Sequence, residues 1–396
     1  MKVVLIADTF PPLRTSGAVQ LRDLAREFVR QGHELTVLLP DADLDRPWAL
    51  EEFDGPQVLR LKAPQTKDIG YLQRTIGEWL MPFAMWRNLR RSPLAKQRWD
   101  GIVWYSPSIF HGPLVQKLKR QSGCKGYLII RDIFPEWAAD LGILRPGLAY
   151  RFFKWIARQQ YDVADVIGVQ TQGNLGYFEQ WHKARQGRTL EVLQNWLDKP
   201  ASTRCPIRIE ETPLAGRKIM IYVGNMGIAQ SMDILLDLAD RMQARDDIGF
   251  LFVGRGKDAQ HLKESADARG LDNILFRDEI DPDEIPDLCA QCSAGIVALD
   301  PRHKSHNIPG KFLTYMQNGL PVLANINAGN DLGDLITREH VGEVCQTNSL
   351  DDLERRCIAL VDRLDTDPQL EDRCLSLFER QFSVSRTVHQ LISSMC

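Results

Sequence analysis

A chain of 396 residues is too long for one ordinary hydrophobic core and fits two domains. Its 44% hydrophobic and 26% charged residues are those of a water-soluble globular protein, and a net charge of -3 excludes a general nucleic-acid binder. No apolar run reaches the roughly 18 residues a membrane span needs, and Lys2 leads straight into the strand-like Val3 to Ala7 with no signal-peptide pattern, so a cytosolic protein with its cysteines kept as thiols is expected.

Val3 to Ala7 is a short apolar run bounded by Asp8 and Pro11-Pro12, which reads as a fully buried parallel strand. The loop Phe10 to Gly17 follows, then a helix whose apolar positions Leu21, Leu24, Ala25 and Phe28 share a face, then a strand over Leu35 to Leu39. Such a strand, helix, strand unit implies a parallel sheet. Gly17 falls where the chain must bend close to the helix start, at the carboxyl end of the first strand, where open α/β sheets bind ligands.

Residues 41 to 100 are less regular. Tyr71 to Arg91 interleaves aromatics with arginines and is punctuated by Pro82. It reads either as a helix at a membrane surface, with Trp79, Phe83 and Trp86 in the head-group zone and Arg87, Arg90 and Arg91 facing anionic lipid, or as a helix packed on its own domain with its charges solvated. A second basic-aromatic stretch, Arg145 to Arg158, favours the membrane. Gly101 to Tyr105, Gly126 to Ile130 and Val166 to Val169 are further strands. The second of these runs into Arg131-Asp-Ile-Phe-Pro-Glu-Trp137, so ionisable side chains emerge where a strand stops. Asp132 and Glu136 are therefore candidates for acid, base or hydroxyl-binding work, with a salt bridge from Arg131 to either as the alternative. A polar linker ends near Gly216.

From Lys218 the pattern restarts, with a strand over Ile219 to Val223, a glycine loop Gly224-Asn-Met-Gly227, an amphipathic helix over Ser231 to Gln243 and a strand over Phe250 to Val253. Gly254-Arg-Gly-Lys-Asp-Ala259 then follows a strand, precedes a helix and has Asp278 and Glu279 downstream, satisfying the dinucleotide fingerprint Gly-x-Gly-x-x-Ala and keeping an NAD-dependent oxidoreductase as an alternative. Asn273 to Arg277 and Ala294 to Leu299 are strands, and Glu284 to Cys292 is a helix. It holds the one Cys-x-x-Cys, Cys289 and Cys292, in an acidic context with no second pair at zinc spacing, so no metal is expected. Asn307 can cap a helix with Pro309 in its first turn, Gly319 can close it, and Pro321 forbids its continuation before a buried strand from Val322. Open amides, Gly310 beside them and Lys311 one turn in make either an anion site or a capped helix with a solvated lysine.

Taken in order, Phe-Pro-Pro…Ser-Gly, Gly-His-Glu-Leu-Thr-Val, Gln-Asn-Trp-Leu-Asp, Tyr-Val-Gly-Asn-Met-Gly, Phe-Val-Gly-Arg-Gly and Ile-Pro-Gly-Lys-Phe…Asn-Gly-Leu-Pro-Val-Leu-Ala resemble glycosyltransferase family 4. Within it the chain is similar to the bacterial O-antigen and capsule amino-sugar branch, of the N-acetylfucosamine transferase kind. The resemblance implies an α/β fold of the GT-B type, with two Rossmann-like parallel-sheet domains facing each other across a cleft. Residues 1-200, with a crossover helix at about 375-396, would bind the acceptor, and residues 215-374 the nucleotide sugar. The implied reaction is transfer of an N-acetylated, often 6-deoxy, amino sugar from a UDP donor to a lipid-linked saccharide in lipopolysaccharide or capsule assembly. It would proceed with retention and without a metal or other cofactor, at the inner face of the cytoplasmic membrane.

Carried over by position, Gly17 would line the donor diphosphate from the first domain. Gly224, Asn225 and Gly227 would approach it from the second, and Lys311 would neutralise charge on the leaving group beside Gly310. Glu279, within Asp278 to Ile280, would meet the base, and Asp132 would touch the sugar or acceptor hydroxyl, with Arg131 and Glu136 on the acceptor side. The resemblance has two departures. The Glu-x7-Glu of many members falls on His306 and Thr314, so Thr314 offers the ribose only a neutral group and Asn307 is a candidate to steady the sugar. The usual basic pair after the glycine loop is replaced by Ile228 to Ser231, leaving Arg255 or Arg302 as helpers. A catalytically silent sugar-nucleotide binder is therefore also open.

Overall fold

The structure is a computed structural model that describes residues 1-13, 15-140, 142-199, 203-227, 230-300 and 308-396. The chain divides into two compact units, Met1–Asp198 together with Val384–Cys396, and Lys199–Ser383. The first unit contains β1 (Lys2–Ile6), α1 (Ser16–Arg30), β2 (Glu34–Asp41), β3 (Trp48–Glu52), β4 (Gln57–Lys62), α2 (Tyr71–Leu89), β5 (Gly101–Tyr105), α3 (Gly112–Ser122), β6 (Lys125–Ile129), α4 (Glu136–Asp140), α5 (Leu148–Val163), β7 (Val166–Val169), α6 (Leu175–Lys183) and β8 (Thr189–Val192). Its sheet runs β3-β4-β2-β1-β5-β6-β7-β8. Val3 to Ile6 of the central β1 are wholly buried, as a strand covered by helices on both faces requires. Because β1 pairs with β2 on one side and β5 on the other, the loops after β1 and β5 diverge and leave a crevice at the carboxyl edge. Thr15 caps α1 by accepting the N–H of Ala18 at 3.2 Å, and Leu21, Leu24, Ala25 and Phe28 all enter the core.

The second unit contains β9 (Lys218–Val223), α7 (Asp233–Arg241), β10 (Ile248–Val253), α8 (Ala259–Arg269), β11 (Ile274–Arg277), α9 (Ile285–Cys289), β12 (Ala294–Ala298), α10 (Gly310–Gln317), β13 (Val322–Asn325), α11 (Asp331–Glu339), β14 (Gly342–Cys345), α12 (Leu350–Thr366) and α13 (Leu370–Gln381). Its sheet is parallel throughout, in the order β11-β10-β9-β12-β13-β14. Here the order reverses between β9 and β12, so the glycine loop after β9 and the helix α10 that follows β12 belong to one switch point.

Two expectations need correction. The irregular stretch after residue 41 holds two strands: β3 pairs antiparallel with β4 at the sheet edge, where its exposed Glu51 and Glu52 suit solvent. The helix read over Tyr71 to Arg91 forms as α2 and runs through Pro82, because buried Met81, Met85 and Leu89 hold it across that residue and Gly77 lets it pack on the chain at Gln65, whose oxygen a Cβ would meet at 2.5 Å. The tail is two helices. α13 keeps Leu377 and Phe378 buried in the second unit, whereas α14 (Val384–Met395) adds Val384, Val388, Leu391 and Met395 to the core formed by Leu24 and Phe28. Gln390 and Ser394 of α14 both bond Glu191 of β8, each at 3.0 Å. Among the described residues no helix is long and apolar enough to cross a membrane.

Candidate functional site

In the second unit the site begins with two glycine loops packed backbone on backbone. The Met226 N–H donates to the Arg255 carbonyl at 2.8 Å, and the Asp258 N–H to the Met226 carbonyl at 3.1 Å. A Cβ on Gly254 would lie 2.0 Å from the Gly224 oxygen, and one on Gly256 1.9 Å from the Met226 oxygen, both at positive φ (148° and 154°). The loop-to-loop contact therefore accounts for the first two glycines of the dinucleotide-like fingerprint without a pyrophosphate.

α10 supplies the cation. The helix starts at Gly310 with Pro309 in the capping position, not with Asn307 capping and Pro309 inside; Asn307, Arg302 and His306 lie outside the described residues. The first amides of a helix lack intrahelical partners, and Gly310 is exposed with nothing within 4 Å of a would-be Cβ. Tyr315, one turn further, locks α10 to β9: its Oη accepts the Val223 N–H at 3.0 Å and donates to the Ile221 carbonyl at 3.1 Å. The ring fits because Gly295 of β12 has no side chain; a Cβ there would stand 2.3 Å from it.

Tyr222 of β9 donates its hydroxyl to the Asn225 carbonyl at 2.5 Å, pinning the glycine loop. The ammonium of Lys311 lies over that ring, 3.7 Å from its centroid. A Cβ on Gly224 would stand 3.9 Å from Lys311 Nζ. Lys311 is half-buried and, among the described residues, makes no hydrogen bond or ion pair; burial lowers its pKa to about 7. A lysine partly withdrawn from water over an aromatic face, beside a glycine loop and a helix N-terminus, favours an anion over bulk water. Tyr222 and Tyr315, which set this geometry, were not singled out from the sequence, since Tyr315 acts on Ile221 and Val223 and Tyr222 meets Lys311 across some ninety residues of chain.

The remaining positions are less committed. Exposed Asn225 donates to Gln230 Oε1 at 3.2 Å, which also accepts the Gly227 N–H at 3.2 Å; Ile228 and Ala229 are not described. Arg255 and Glu279 pair at 3.0 Å, both exposed, so little energy holds them from a ligand. Thr314 donates its hydroxyl to the Gly310 carbonyl at 3.4 Å. Cys289 is buried, which pushes its thiol up to about 12, and burial also raises Cys292, so neither is a ready nucleophile. Among the described residues no three His, Cys, Asp or Glu side chains gather to hold a metal.

In the first unit Gly17 is the second residue of α1, where a Cβ would stand 3.4 Å from Thr9 Cγ2 and 3.7 Å from Tyr105 Oη, at the crevice between β1 and β5. Asp132 is exposed beyond β6; desolvation raises its carboxyl and the Arg131 charge opposes, both weakened by the water around it. Arg131 corrects its acceptor-side assignment. It is buried, donates to the carbonyls of Leu193 (2.8 Å) and Gln194 (3.1 Å) beyond β8, and stacks 4.6 Å from the Trp196 ring centroid. The guanidinium is structural, and Arg131→Ala is expected to destabilise by about 2–4 kcal/mol, read from urea midpoints, by orphaning two carbonyls and opening a cavity. Glu136 is not bridged to Arg131 either; it pairs with Lys154 at 3.3 Å and accepts the Tyr150 hydroxyl at 3.2 Å. The sequence reading also missed His111, fully buried before α3 with neither ring nitrogen bonded among the described residues.

Residues 16–196 match the family described as Glycosyl transferase 4-like domain, and residues 217–363 match Glycosyl transferases group 1. The chain thus carries the paired domains of a group 1, 4-like glycosyltransferase, one on each unit. It is 25% identical over 266 residues to WcaI of Escherichia coli K12, named as a colanic acid biosynthesis glycosyl transferase, and 23% identical over 241 residues to WbjE of Pseudomonas aeruginosa, named as a glycosyltransferase. These alignments span 61% and 58% of this chain, and the same shares of those relatives' own length. Among solved structures it resembles Anabaena HepE in complex with UDP (TM-score 0.68, 14% identity, 100% and 99% of the two chains). Sucrose-phosphate synthase from Thermosynechococcus elongatus is similar too (0.67, 13%, 99% and 97%). These likenesses establish the GT-B fold.

Proposed function

We propose that the protein is a retaining, metal-independent glycosyltransferase of the hexosyltransferase class that moves an N-acetylated amino sugar from UDP to a lipid-linked saccharide in surface-polysaccharide assembly. The observation that carries this reading is the Lys311 ammonium over Tyr222, beside Gly224 and the open end of α10. When the donor's glycosidic C–O bond breaks, negative charge gathers on the diphosphate, and donors already aimed there lower the barrier most. Lys311 and the amide of Gly310 take that charge. Thr314 offers the ribose a hydroxyl, Glu279 and Arg255 border the base, and Asp132 with Gly17 serves the sugar and acceptor from the first unit. The colanic acid assignment of WcaI and the UDP bound to HepE support the polysaccharide context and the nucleotide.

The protein works at the inner face of the cytoplasmic membrane, held there peripherally. Tyr71, Leu72, Trp79 and Phe83 of α2 and Trp155 of α5 are exposed, whereas Trp86 is half-buried beside Lys117. Saturating UDP, at 100 times its dissociation constant, is expected to stabilise the protein by about 2.7 kcal/mol, and NAD not at all. With a lipid-linked acceptor in anionic vesicles the protein should co-sediment and transfer labelled sugar. UDP binding without transfer to any acceptor would instead favour a silent binder, the reading prompted by the missing Glu-x7-Glu.

A further inference from the structure

Between α2, α3 and α5 of the first unit lies a slot of about 160 Å³ that the transfer chemistry does not use. Its walls are Trp79, Pro82 and Phe83 of α2, Phe110 from the loop before α3, and Trp155 and Ile156 of α5. Trp79 and Trp155 stack at 5.8 Å between centroids and 25° between planes. Both remain partly in solvent, at 38% and 48% exposure, and so does Phe83 at 42%. Exposed Gln116 and Gln159 also line the slot. An apolar cavity of about 150 Å³ stays dry and accepts a benzene-sized molecule, so this slot has room for roughly one five-carbon branched unit of a hydrocarbon chain.

Two features favour the chain of an acceptor lipid over any apolar partner. Lys117 of α3 lies 5.4 Å from the Phe83 ring centroid, next to the slot, placing a cation where a lipid phosphate attached to such a chain would lie. The floor is also tied to the acceptor edge of the sheet. Phe110 belongs to the loop after β5, which Gln160 of α5 grips through the Ser108 carbonyl (2.9 Å) and the His111 N–H (3.1 Å). At the head of that loop the Ser106 hydroxyl donates to the Asp132 carbonyl at 3.4 Å. A chain seated in the slot therefore bears on the segment that positions Asp132.

We infer that this slot seats the first isoprenoid-like unit of the acceptor's lipid, with Lys117 on its phosphate. The inference rests on the lipid-linked acceptor reading above. A water-soluble, ten-carbon isoprenoid phosphate, used below its micelle concentration, is the probe. It should change the intrinsic tryptophan emission of the full-length protein saturably. Gln116→Phe and Gln159→Phe, which narrow the slot from exposed positions, should weaken that binding tenfold or more. Each should raise KM for a lipid-linked acceptor by a similar factor, with kcat within twofold and KM for the same saccharide on a short soluble aglycone unchanged. Equal binding and equal KM in wild type and both variants would overturn the slot while leaving transfer to lipid intact. Transfer to soluble acceptors alone would overturn both the slot and the reading on which it rests, and because probe binding is measured without transfer, the two failures are told apart.

Discussion

Lys311→Met is expected to reduce sugar transfer by at least 10²–10³-fold and to abolish the stabilisation by UDP, the loss found when one preorganised charge-stabilising donor is removed. The same substitution should make the ligand-free protein more stable. Lys311 has its pKa lowered to about 7 by burial, against an ordinary value near 10.5. Between these values the unfolded chain holds a proton that the folded chain has released, so stability rises with pH across that window. The penalty is therefore full below pH 7 and gone above about 10.5. Each pKa unit corresponds to about 1.4 kcal/mol, but water reaches the half-buried side chain and the Tyr222 face returns part of the lost solvation, so a gain of about 1–3 kcal/mol at pH 6.5 is expected for the methionine variant, shrinking towards zero at pH 10.5.

Ligand binding reverses the sign. A diphosphate beside the ammonium favours its protonated form, so UDP should bind with proton uptake above pH 7, and its affinity should fall by up to tenfold per pH unit there. Calorimetry in two buffers of different ionisation enthalpy measures the uptake directly. A wild-type affinity flat between pH 7 and 9, or a methionine variant that binds UDP as wild type does, would remove Lys311 from the diphosphate.

Much of this site was legible in the sequence, for a local reason. Gly319 and Pro321 mark the end of α10 and Val322 the start of β13, because both signals act on the backbone within a few residues. The alternating strands and helices likewise follow from apolar runs and helical spacing. What was hidden is non-local. Nothing near Tyr315 announces that its hydroxyl will bridge Ile221 and Val223, or that Gly295 makes room for its ring. Arg131 shows the converse: a charged residue at a strand end reads as functional until Leu193, Gln194 and Trp196 are folded around it. β3 and β4 were missed although Asp54, Gly55 and Pro56 punctuate them, because β3 at the sheet edge carries exposed Glu51 and Glu52 and neither strand is an uninterrupted apolar run.

The glycines offer the second large effect, since two of them carry opposite demands. Gly256→Ala would drive a methyl to within 1.9 Å of the Met226 oxygen at a φ of 154°, so the two loops must part, at a cost of about 3–5 kcal/mol in the second unit's urea transition. Gly310→Ala meets nothing within 4 Å, and alanine favours a helix, so stability should hold or rise by a few tenths of a kcal/mol. Folding gives no reason for glycine at 310. An anion lying on the first amides of α10 does, because a methyl there would stand where the phosphate oxygens approach. Gly310→Ala is therefore expected to weaken UDP binding about tenfold in a fully folded protein, whereas Gly256→Ala loses stability first and binding only as a consequence. Titration of both variants with UDP, beside their urea curves, separates the two. A dinucleotide site at Gly254 to Ala259 demands the opposite pattern, with Gly310→Ala binding normally and the ligand that stabilises wild type being NAD.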